Sequence, residues 1–198
     1  MHVKLIVGLG NPGPRYRFSR HNAGFLVLDQ LAQKHDMALS QRLFETLIGR
    51  GKIAGKSVIA VAPQTFMNLS GFAVRRILDF YRVEVADLIV IHDDMDLPFG
   101  TIRLKEGGGH GGHKGLISVI EQLGNPDFVR VRVGIGKPVM REMVESYVLS
   151  PFSEEEMQTV PDIAATVCDV VTEIVSSGVQ AAIVKYHGKT INNFQKEG

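Results

Sequence analysis

The segment YRFSRHNAG, residues 16–24, places one histidine, His21, after a glycine- and proline-rich turn and at the start of a predicted helix. A histidine titrates near neutral pH, so it can accept a proton from water as a general base. Most histidines are surface or structural residues, and His21 alone is therefore weak evidence of catalysis. The interpretation depends on whether the rest of the chain supplies partners for such a base.

A run of acidic residues supplies one kind of partner. The sequence HDDMD, residues 92–96, follows the apolar run 88–91, which is typical of a buried strand. Sites in α/β sheets gather at the carboxyl ends of strands, where a carboxylate could orient His21 and stabilise its protonated form. Two other interpretations stay open for this run: a metal site built on His92 and the aspartates, or a capped turn in solvent.

Asn11 lies in the turn GLGNPG, residues 8–13, after a strand predicted over residues 3–7. The turn matches the pattern G-x-G-x-x-G of dinucleotide-binding proteins. The prolines around its third glycine, and the lack of a second strand ending in an acidic residue, argue against that interpretation. The turn is better explained as a tight bend that displays Asn11 and lets the backbone approach a partner closely.

A second loop, PQTFMNLSG at residues 63–71, carries Phe66, Met67 and Asn68 directly after a predicted strand. Loops in this position often carry ligand-binding groups. Phe66 and Met67 could equally pack against the edge of the core, and the motif alone does not decide between the two.

The glycine-rich loop GGGHGGHKG, residues 107–115, precedes a predicted amphipathic helix. Backbone N–H groups in such a loop, at a helix N-terminus, can cradle an anion. The loop lacks the G-K-[ST] ending of a nucleoside triphosphate site. His110 and His113 could ligate a metal, but a flexible loop preorganises ligands poorly, so we favour a mobile loop that faces phosphate.

Basic residues concentrate around a strand predicted over residues 128–136, in which apolar and basic residues alternate. The basic residues on or near it in sequence are Arg130, Arg132, Lys105, Lys114, Lys137 and Arg141. This concentration is consistent with binding a phosphate backbone, although a solvated strand face gives the same pattern. The net charge is only +1, so any such basic site must be local.

Helix and strand patterns alternate along the chain, as in an α/β protein. Strands over residues 45–52 and 57–61 are predicted to form a hairpin. Asn22 and Ser70 are predicted to cap the helices that follow them. The sequence SEEE, residues 153–156, is a capping-box pattern before a long amphipathic helix whose apolar stripe indicates core packing.

The chain of 198 residues is 44% hydrophobic and 22% charged, which is ordinary for a globular protein and predicts one domain over residues 1–198. Its single cysteine, Cys168, excludes an internal disulfide and a multi-cysteine zinc site. No apolar run approaches the length of a membrane span, and the opening residues lack a signal-peptide pattern. The expected location is therefore the cytoplasm.

Six stretches, taken in order, resemble those of bacterial-type peptidyl-tRNA hydrolases. They are LIVGLGNPG (5–13), RHNAG (20–24), TFMNLSG (65–71), HDDMDLP (92–98), GHGGH (109–113) and RVGIG (132–136). Each stretch alone is weak evidence, but six in order are highly specific. The resemblance implies a single α/β domain with a mixed, twisted sheet flanked by helices on both faces, and a monomer that needs no metal or other cofactor.

The resemblance also implies an activity: hydrolysis of the ester bond between a stalled peptide and the 3′ ribose of tRNA. Peptidyl-tRNA would be the partner, and no membrane association is implied. By the same carry-over, His21 activates water, Asp93 orients His21, and Asn11, Met67 and Asn68 line the peptide side of the cleft. On physical grounds, the side-chain amide of Asn11 or of Asn68 can donate a hydrogen bond to the developing oxyanion. Further substrate contacts are implied for Tyr16, Phe66, Met67, Asn68, Lys105, His113, Lys114 and Arg132.

Lys114 departs from the family, which usually carries asparagine at this position. Lysine keeps hydrogen-bond donors, but it loses the acceptor and adds a charge, so the role of this position is open. Ser19 in place of the more usual threonine is a milder change. Two other functions remain as alternatives: a non-catalytic RNA-binding module, and a metal-dependent hydrolase built on His92, Asp93, Asp94 and His110.

Overall fold

The computed structural model describes residues 3–192. Within them, seven strands form one sheet: β1 Lys4–Gly8, β2 Gln41–Leu43, β3 Thr46–Ile53, β4 Lys56–Pro63, β5 Leu88–Asp94, β6 Ile102–Glu106 and β7 Val129–Gly134. The α-helices are α1 Ala23–Lys34, α2 Ser70–Tyr81, α3 Lys114–Leu123, α4 Val144–Leu149, α5 Glu154–Ser177 and α6 Val179–Tyr186. None of these helices combines the length and apolar character needed to cross a membrane.

Strand β1 lies in the middle of the sheet, parallel to β4 on one side and to β5 on the other. Strand β7 pairs parallel with β5, whereas β3 and β6 pair antiparallel with β4 and β7. The strand order is β2-β3-β4-β1-β5-β7-β6. The predicted mixed sheet is therefore confirmed, with parallel strands in the centre and antiparallel strands at both edges.

Apolar residues cover both faces of the sheet. Successive residues of a strand point to opposite faces, and in β1 Ile6 joins a core cluster with residues of α1, α5 and α6, while Leu5 and Val7 join a second cluster with residues of α2 and α3. All three are completely buried. The helices thus lie on both faces, as the resemblance implied, and the continuous apolar pattern of the central strands follows from this double covering.

The carboxyl ends of β1, β4 and β5 meet at one edge of the sheet, because these strands are parallel. Gly24 brings the start of α1 directly against this edge. A Cβ atom at Gly24 would lie 2.5 Å from the carbonyl oxygen of Ile91 and equally close to the backbone of Leu9. Only glycine permits this approach, and it places His21, three residues earlier, beside the ends of the central strands.

Neither of the two predicted single-residue helix caps makes a capping hydrogen bond. Asn22 precedes α1 without a capping hydrogen bond, because its side chain binds a loop instead. Ser70 is the first residue of α2 rather than its cap, and its buried hydroxyl has no hydrogen-bond partner among the described residues. The capping box of Ser153 and Glu156 is confirmed, with both reciprocal hydrogen bonds present.

The predicted hairpin is confirmed as β3 and β4, but β2, which pairs with β3, was not predicted. The turn between β2 and β3 is formed by Phe44 and Glu45, whose φ angles are 48° and 56°. Tight hairpin turns with positive φ usually contain glycine or asparagine. Their absence from this turn explains why the sequence pattern did not reveal it.

Candidate active site

A cleft of about 780 Å³ opens at the carboxyl edge of the sheet. The glycine loop, the loop before α2, the end of β5 and one side of α4 form its walls. Every site residue proposed from the sequence lines this cleft: Asn11, Tyr16, His21, Phe66, Met67, Asn68, Asp93, Lys105, His113, Lys114 and Arg132. The structure therefore brings the proposed residues together, whatever role each one has.

His21 and Asp93 form a buried pair in the cleft. Nδ1 of His21 lies 2.9 and 3.0 Å from the two carboxylate oxygens of Asp93. Only 6% of His21 and 1% of Asp93 are exposed. An ionised carboxylate only accepts hydrogen bonds, so Nδ1 carries the proton and Nε2 keeps its lone pair. Among residues 3–192 nothing binds Nε2, which is therefore free to act as a base.

His113 is also bound to Asp93. Its Nδ1 accepts hydrogen bonds from the backbone N–H groups of Gly115 and Leu116, and this capping bond secures the start of α3. Because Nδ1 is an acceptor, the ring proton is on Nε2, which donates to Asp93 Oδ1 at 2.9 Å. Both ring nitrogens are thus occupied by the protein, which leaves neither of them for a substrate hydrogen bond.

The two histidines determine the ionisation of Asp93. Burial alone would raise the pKa of this carboxyl group, but the charges and hydrogen bonds of His21 and His113 outweigh it and hold the pKa well below its ordinary range. Asp93 is consequently a carboxylate at any pH at which the protein works. A permanent negative charge beside His21 stabilises the positive imidazolium that forms when His21 takes a proton.

His92, next to Asp93 in sequence, is completely enclosed. Its Nδ1 donates to the carbonyl oxygen of Asp93 at 2.7 Å, while Nε2 is buried without a partner among the described residues. Burial, followed by the nearby His113, lowers the pKa of His92 to about 3. His92 is therefore neutral near neutral pH, and it supports the backbone at Asp93.

The metal-ligand set considered from the sequence does not form a cluster. Asp94 is paired with Arg132, and the exposed His110 accepts a hydrogen bond from the Gly112 N–H group. Of the side chains in residues 3–192, those of His21, Asp93 and His113 are the group close enough to share an ion, with ligand atoms within 4.8 Å of one another. His113 has no free lone pair in this arrangement, so the trio fits a hydrogen-bonded chain better than a metal site.

Asn11 is fixed by two other residues of the site region. Its Oδ1 accepts from the backbone N–H of Met67 at 2.8 Å. Its backbone N–H and C=O groups both bind the side-chain amide of Asn22, at 2.9 Å each. Within residues 3–192 no group binds the Nδ2 group of Asn11, which lies at the cleft as a hydrogen-bond donor. Asn22, adjacent to His21 and 1% exposed, thus connects the Asn11 turn to the histidine.

Arg130 does not lie on the phosphate-facing or solvated surface that the alternating pattern predicts for it and Arg132, because it is only 2% exposed. Its guanidinium donates to the carbonyl oxygens of Gly108 and Gly109 at 2.5 and 2.6 Å, which anchors the glycine loop from below. Alternation along a strand could not reveal this, because the loop that covers Arg130 is about 20 residues earlier in the chain.

The other cations of the cleft are at its rim. Arg132 is partly exposed and donates from Nε to Asp94 at 2.7 Å. Lys105 is exposed and lies against Gly108, where a Cβ atom would be 2.6 Å from its Nζ. Both line the cleft together with residues of the glycine loop. Of the rim aromatics, Phe66 is 58% exposed and Tyr16 is half-buried.

Arg20 is a residue that the sequence analysis did not single out. Its guanidinium binds Ser150 Oγ, the Pro151 carbonyl oxygen and Glu156 Oε2, all at 2.6–2.7 Å. It also stacks 4.5 Å from the ring centroid of Tyr147 in α4. Arg20 therefore ties the residue next to His21 to the wall of the cleft and to the start of α5. Only its position beside His21 could have drawn attention to it.

The chain is similar in sequence and in structure to known proteins. The sequence matches a family model described as peptidyl-tRNA hydrolase over residues 5–194. It is 49% identical to the peptidyl-tRNA hydrolase of Geotalea daltonii, over 96% of this chain and 100% of that one, and 46% identical to that of Geobacter sulfurreducens, over 96% and 98%. It is similar to a crystal structure of peptidyl-tRNA hydrolase from Acinetobacter baumannii, with 38% identity and a TM-score of 0.88 over 93% of this chain and 96% of that one.

Proposed function

The chain belongs to the peptidyl-tRNA hydrolase family, and we propose that it cleaves the ester bond between a peptide and the 3′ ribose of tRNA by direct attack of water activated by His21. One observation supports the direct attack of water. The free Nε2 of the His21–Asp93 pair faces a cleft whose described lining contains no serine, threonine or cysteine. With no side chain of the usual nucleophilic kinds in the cleft, water is the nucleophile that the base can serve.

The reaction needs one proton acceptor and one proton donor, and His21 can be both in turn. Nε2 takes a proton from water as the water oxygen bonds to the ester carbonyl carbon, and Asp93 stabilises the imidazolium that results. When the tetrahedral intermediate breaks down, the imidazolium returns the proton to the leaving 3′ oxygen of the ribose. The products are the free peptide and tRNA with a 3′ hydroxyl group, and no covalent enzyme intermediate is formed.

The developing negative charge on the carbonyl oxygen needs fixed hydrogen-bond donors. The Nδ2 group of Asn11 supports that role, because the bond from the Met67 N–H to Oδ1 orients the side-chain amide while the Asn22 side chain holds the Asn11 backbone. Asn68, exposed at the rim, can donate from a second direction. Neither amide competes as an acid, so neither interferes with proton transfer to His21.

The rim of the cleft carries basic and aromatic side chains that can bind the phosphates and bases at the end of a tRNA. Phosphate groups are attracted by Lys105 and by the terminal nitrogens of Arg132, whose Nε is already bound to Asp94. Exposed rings such as Phe66, together with Tyr16, can stack on unpaired bases. We assign the tRNA end to this rim and the peptide to the part of the cleft near Asn11, Met67 and Asn68.

Discrimination against aminoacyl-tRNA, which carries a free amino group, is a second requirement. Burying an unpaired ammonium group in the cleft is costly, whereas an acylated nitrogen carries no charge. Side-chain amides that bind the next peptide bond add to this preference for an acylated substrate.

We also propose that residues 1–198 act as one domain, as a monomer in the cytoplasm and without a metal cofactor.

The proposal is tested with N-acetyl-aminoacyl-tRNA and the corresponding aminoacyl-tRNA, each assayed with EDTA present. We expect release of the N-acetyl amino acid to continue in EDTA and to exceed release of the free amino acid. Loss of turnover in EDTA would instead indicate the metal-dependent hydrolase. Binding of tRNA without turnover would indicate a non-catalytic RNA-binding module. Similar rates for both substrates would contradict the discrimination by charge.

A further inference from the structure

An ion pair crosses the cleft between two of its walls. Nζ of Lys114, the first residue of α3, donates to Oε1 of Glu145 in α4 at 3.0 Å. Both residues line the cleft. Within the described chain no other hydrogen bond joins α4 to α3 or to the glycine loop. This pair is therefore the one polar link across that part of the opening that residues 3–192 show.

The stability of helix α3 does not explain why residue 114 is a lysine. A helix N-terminus carries partial positive charge, so a lysine at the first helical position is electrostatically unfavourable there. The start of α3 is already secured by the His113 side chain. Glu145, by contrast, lies in the first turn of α4, where a negative charge is favourable. A residue that conflicts with its own helix is expected at a position selected for function.

We propose that Lys114 and Glu145 form a specificity-determining pair that narrows the cleft and discriminates against long peptides. This inference rests on the proposed function. Val144, Val148 and Leu149, on the same helix as Glu145, line the cleft with apolar side chains, and residues 109–112 of the glycine loop line it as well. A peptide that extends between these walls must displace the ion pair, whereas a single N-acetylated amino acid is short enough to leave it closed.

The pair is weak enough to open in each catalytic cycle. The Lys114 and Glu145 side chains are 60% and 73% exposed, so water screens their attraction. Exposed pairs of this kind change equilibria by no more than about fivefold. We therefore expect the pair to change the preference between long and short peptides by up to about fivefold. The pair contributes little to the stability of the fold, so its removal is not expected to cause a folding defect.

The experiment measures kcat/KM for two substrates on the same tRNA, one carrying N-acetyl-alanine and one carrying N-acetyl-tetra-alanine. Contacts with the tRNA cancel in the ratio of the two values. We expect Lys114→Asn and Glu145→Gln each to raise the long-to-short ratio, by up to about fivefold. The double variant will show no further increase, and the charge swap Lys114→Glu with Glu145→Lys will return the ratio towards that of the wild type.

Lys34→Asn is the matched control, because it removes an exposed ion pair with Asp169 far from the cleft, and it will leave the ratio unchanged. The proposal is overturned if Lys114→Asn lowers kcat/KM for both substrates alike while Glu145→Gln does not, since Lys114 would then bind tRNA directly. Additive single effects, an unchanged ratio, or a charge swap that does not restore the ratio would also overturn it. A wild-type protein that cleaves neither substrate would instead refute the proposed function.

Discussion

His113 donates a hydrogen bond from Nε2 to Asp93 at 2.9 Å, while its Nδ1 accepts the bonds that cap α3. One ring thus fastens the end of the glycine loop to the carboxylate that orients His21. The tautomer follows from the capping bonds alone, since a backbone N–H group can only donate. His113 is thereby a positioning residue for Asp93, and its two functions can be separated by substitution.

His113→Asn preserves a side chain that caps helices well but is too short to serve Asp93 as well, whereas His113→Ala removes both interactions. We expect the Asn variant to be about 1 kcal/mol more stable than the Ala variant, the usual value of a cap. Both should have reduced kcat, because Asp93 loses a donor. Urea unfolding and steady-state kinetics make the comparison. A wild-type kcat in His113→Asn would show that the bond to Asp93 has no role in catalysis.

Asp93→Asn tests the charge beside His21. The amide is similar in size to the carboxylate, but it does not stabilise the imidazolium and can favour the wrong tautomer of His21. We expect kcat to fall by roughly 10²-fold or more, comparable to the loss of general-base assistance. Circular dichroism and thermal unfolding serve as the folding control. Activity within a few-fold of the wild type would mean that His21 does not depend on this carboxylate.

His92 makes stability dependent on pH. In the folded protein its pKa is lowered to about 3, whereas an unfolded histidine binds a proton below its ordinary value of 6.5. Between these values the unfolded chain holds more protons, so stability falls as the pH falls, by at most about 1.4 kcal/mol per pH unit. The depressed pKa of Asp93 adds a further loss only below about pH 4.

His92→Asn keeps a donor for the Asp93 carbonyl oxygen but cannot titrate. Urea unfolding of the wild type and this variant should be compared between about pH 4.5 and 6.5, above the range in which Asp93 contributes. We expect a shallower decline of unfolding free energy in the variant. Parallel declines would show that another group is responsible for the acid sensitivity.

Arg20→Met removes the guanidinium that joins Glu156, Ser150 and the Tyr147 ring. The Arg20 and Glu156 side chains are only 11% and 16% exposed, so a loss of about 2 kcal/mol is expected, between the values for exposed and buried pairs. Lys34→Met, which breaks the exposed pair with Asp169, should cost less than about 1 kcal/mol. Equal losses in the two variants would contradict a special role for Arg20.

The parts of the site that could be predicted are those whose positions follow from the direction of the strands. His21, Asp93 and Asn11 follow or adjoin the ends of parallel strands, and parallel strands bring those ends to one edge. Contacts that depend on how a loop folds over the sheet were not predictable. Nothing local distinguishes the buried Arg130 under the glycine loop from the partly exposed Arg132, two residues later on the same strand.

Capping was the least predictable feature. Asn22 is a residue type that often caps helices, yet its amide binds the backbone of Asn11, because that loop lies against it only in the folded sheet. His113, which is not a usual capping type, caps α3 because Asp93 fixes its other nitrogen. Local propensity was overridden by tertiary contacts in both cases, and both lie beside the site.

The most direct test of the mechanism compares the wild type, His21→Ala and His35→Ala in single-turnover hydrolysis of N-acetyl-aminoacyl-tRNA with EDTA present. His35 is partly buried near Thr172, outside the cleft, and controls for the loss of a histidine. If His21 is the general base, its removal lowers the rate by roughly 10²-fold or more while tRNA binding and the His35→Ala rate are maintained. A His21→Ala protein that hydrolyses the ester at the wild-type rate would contradict the account.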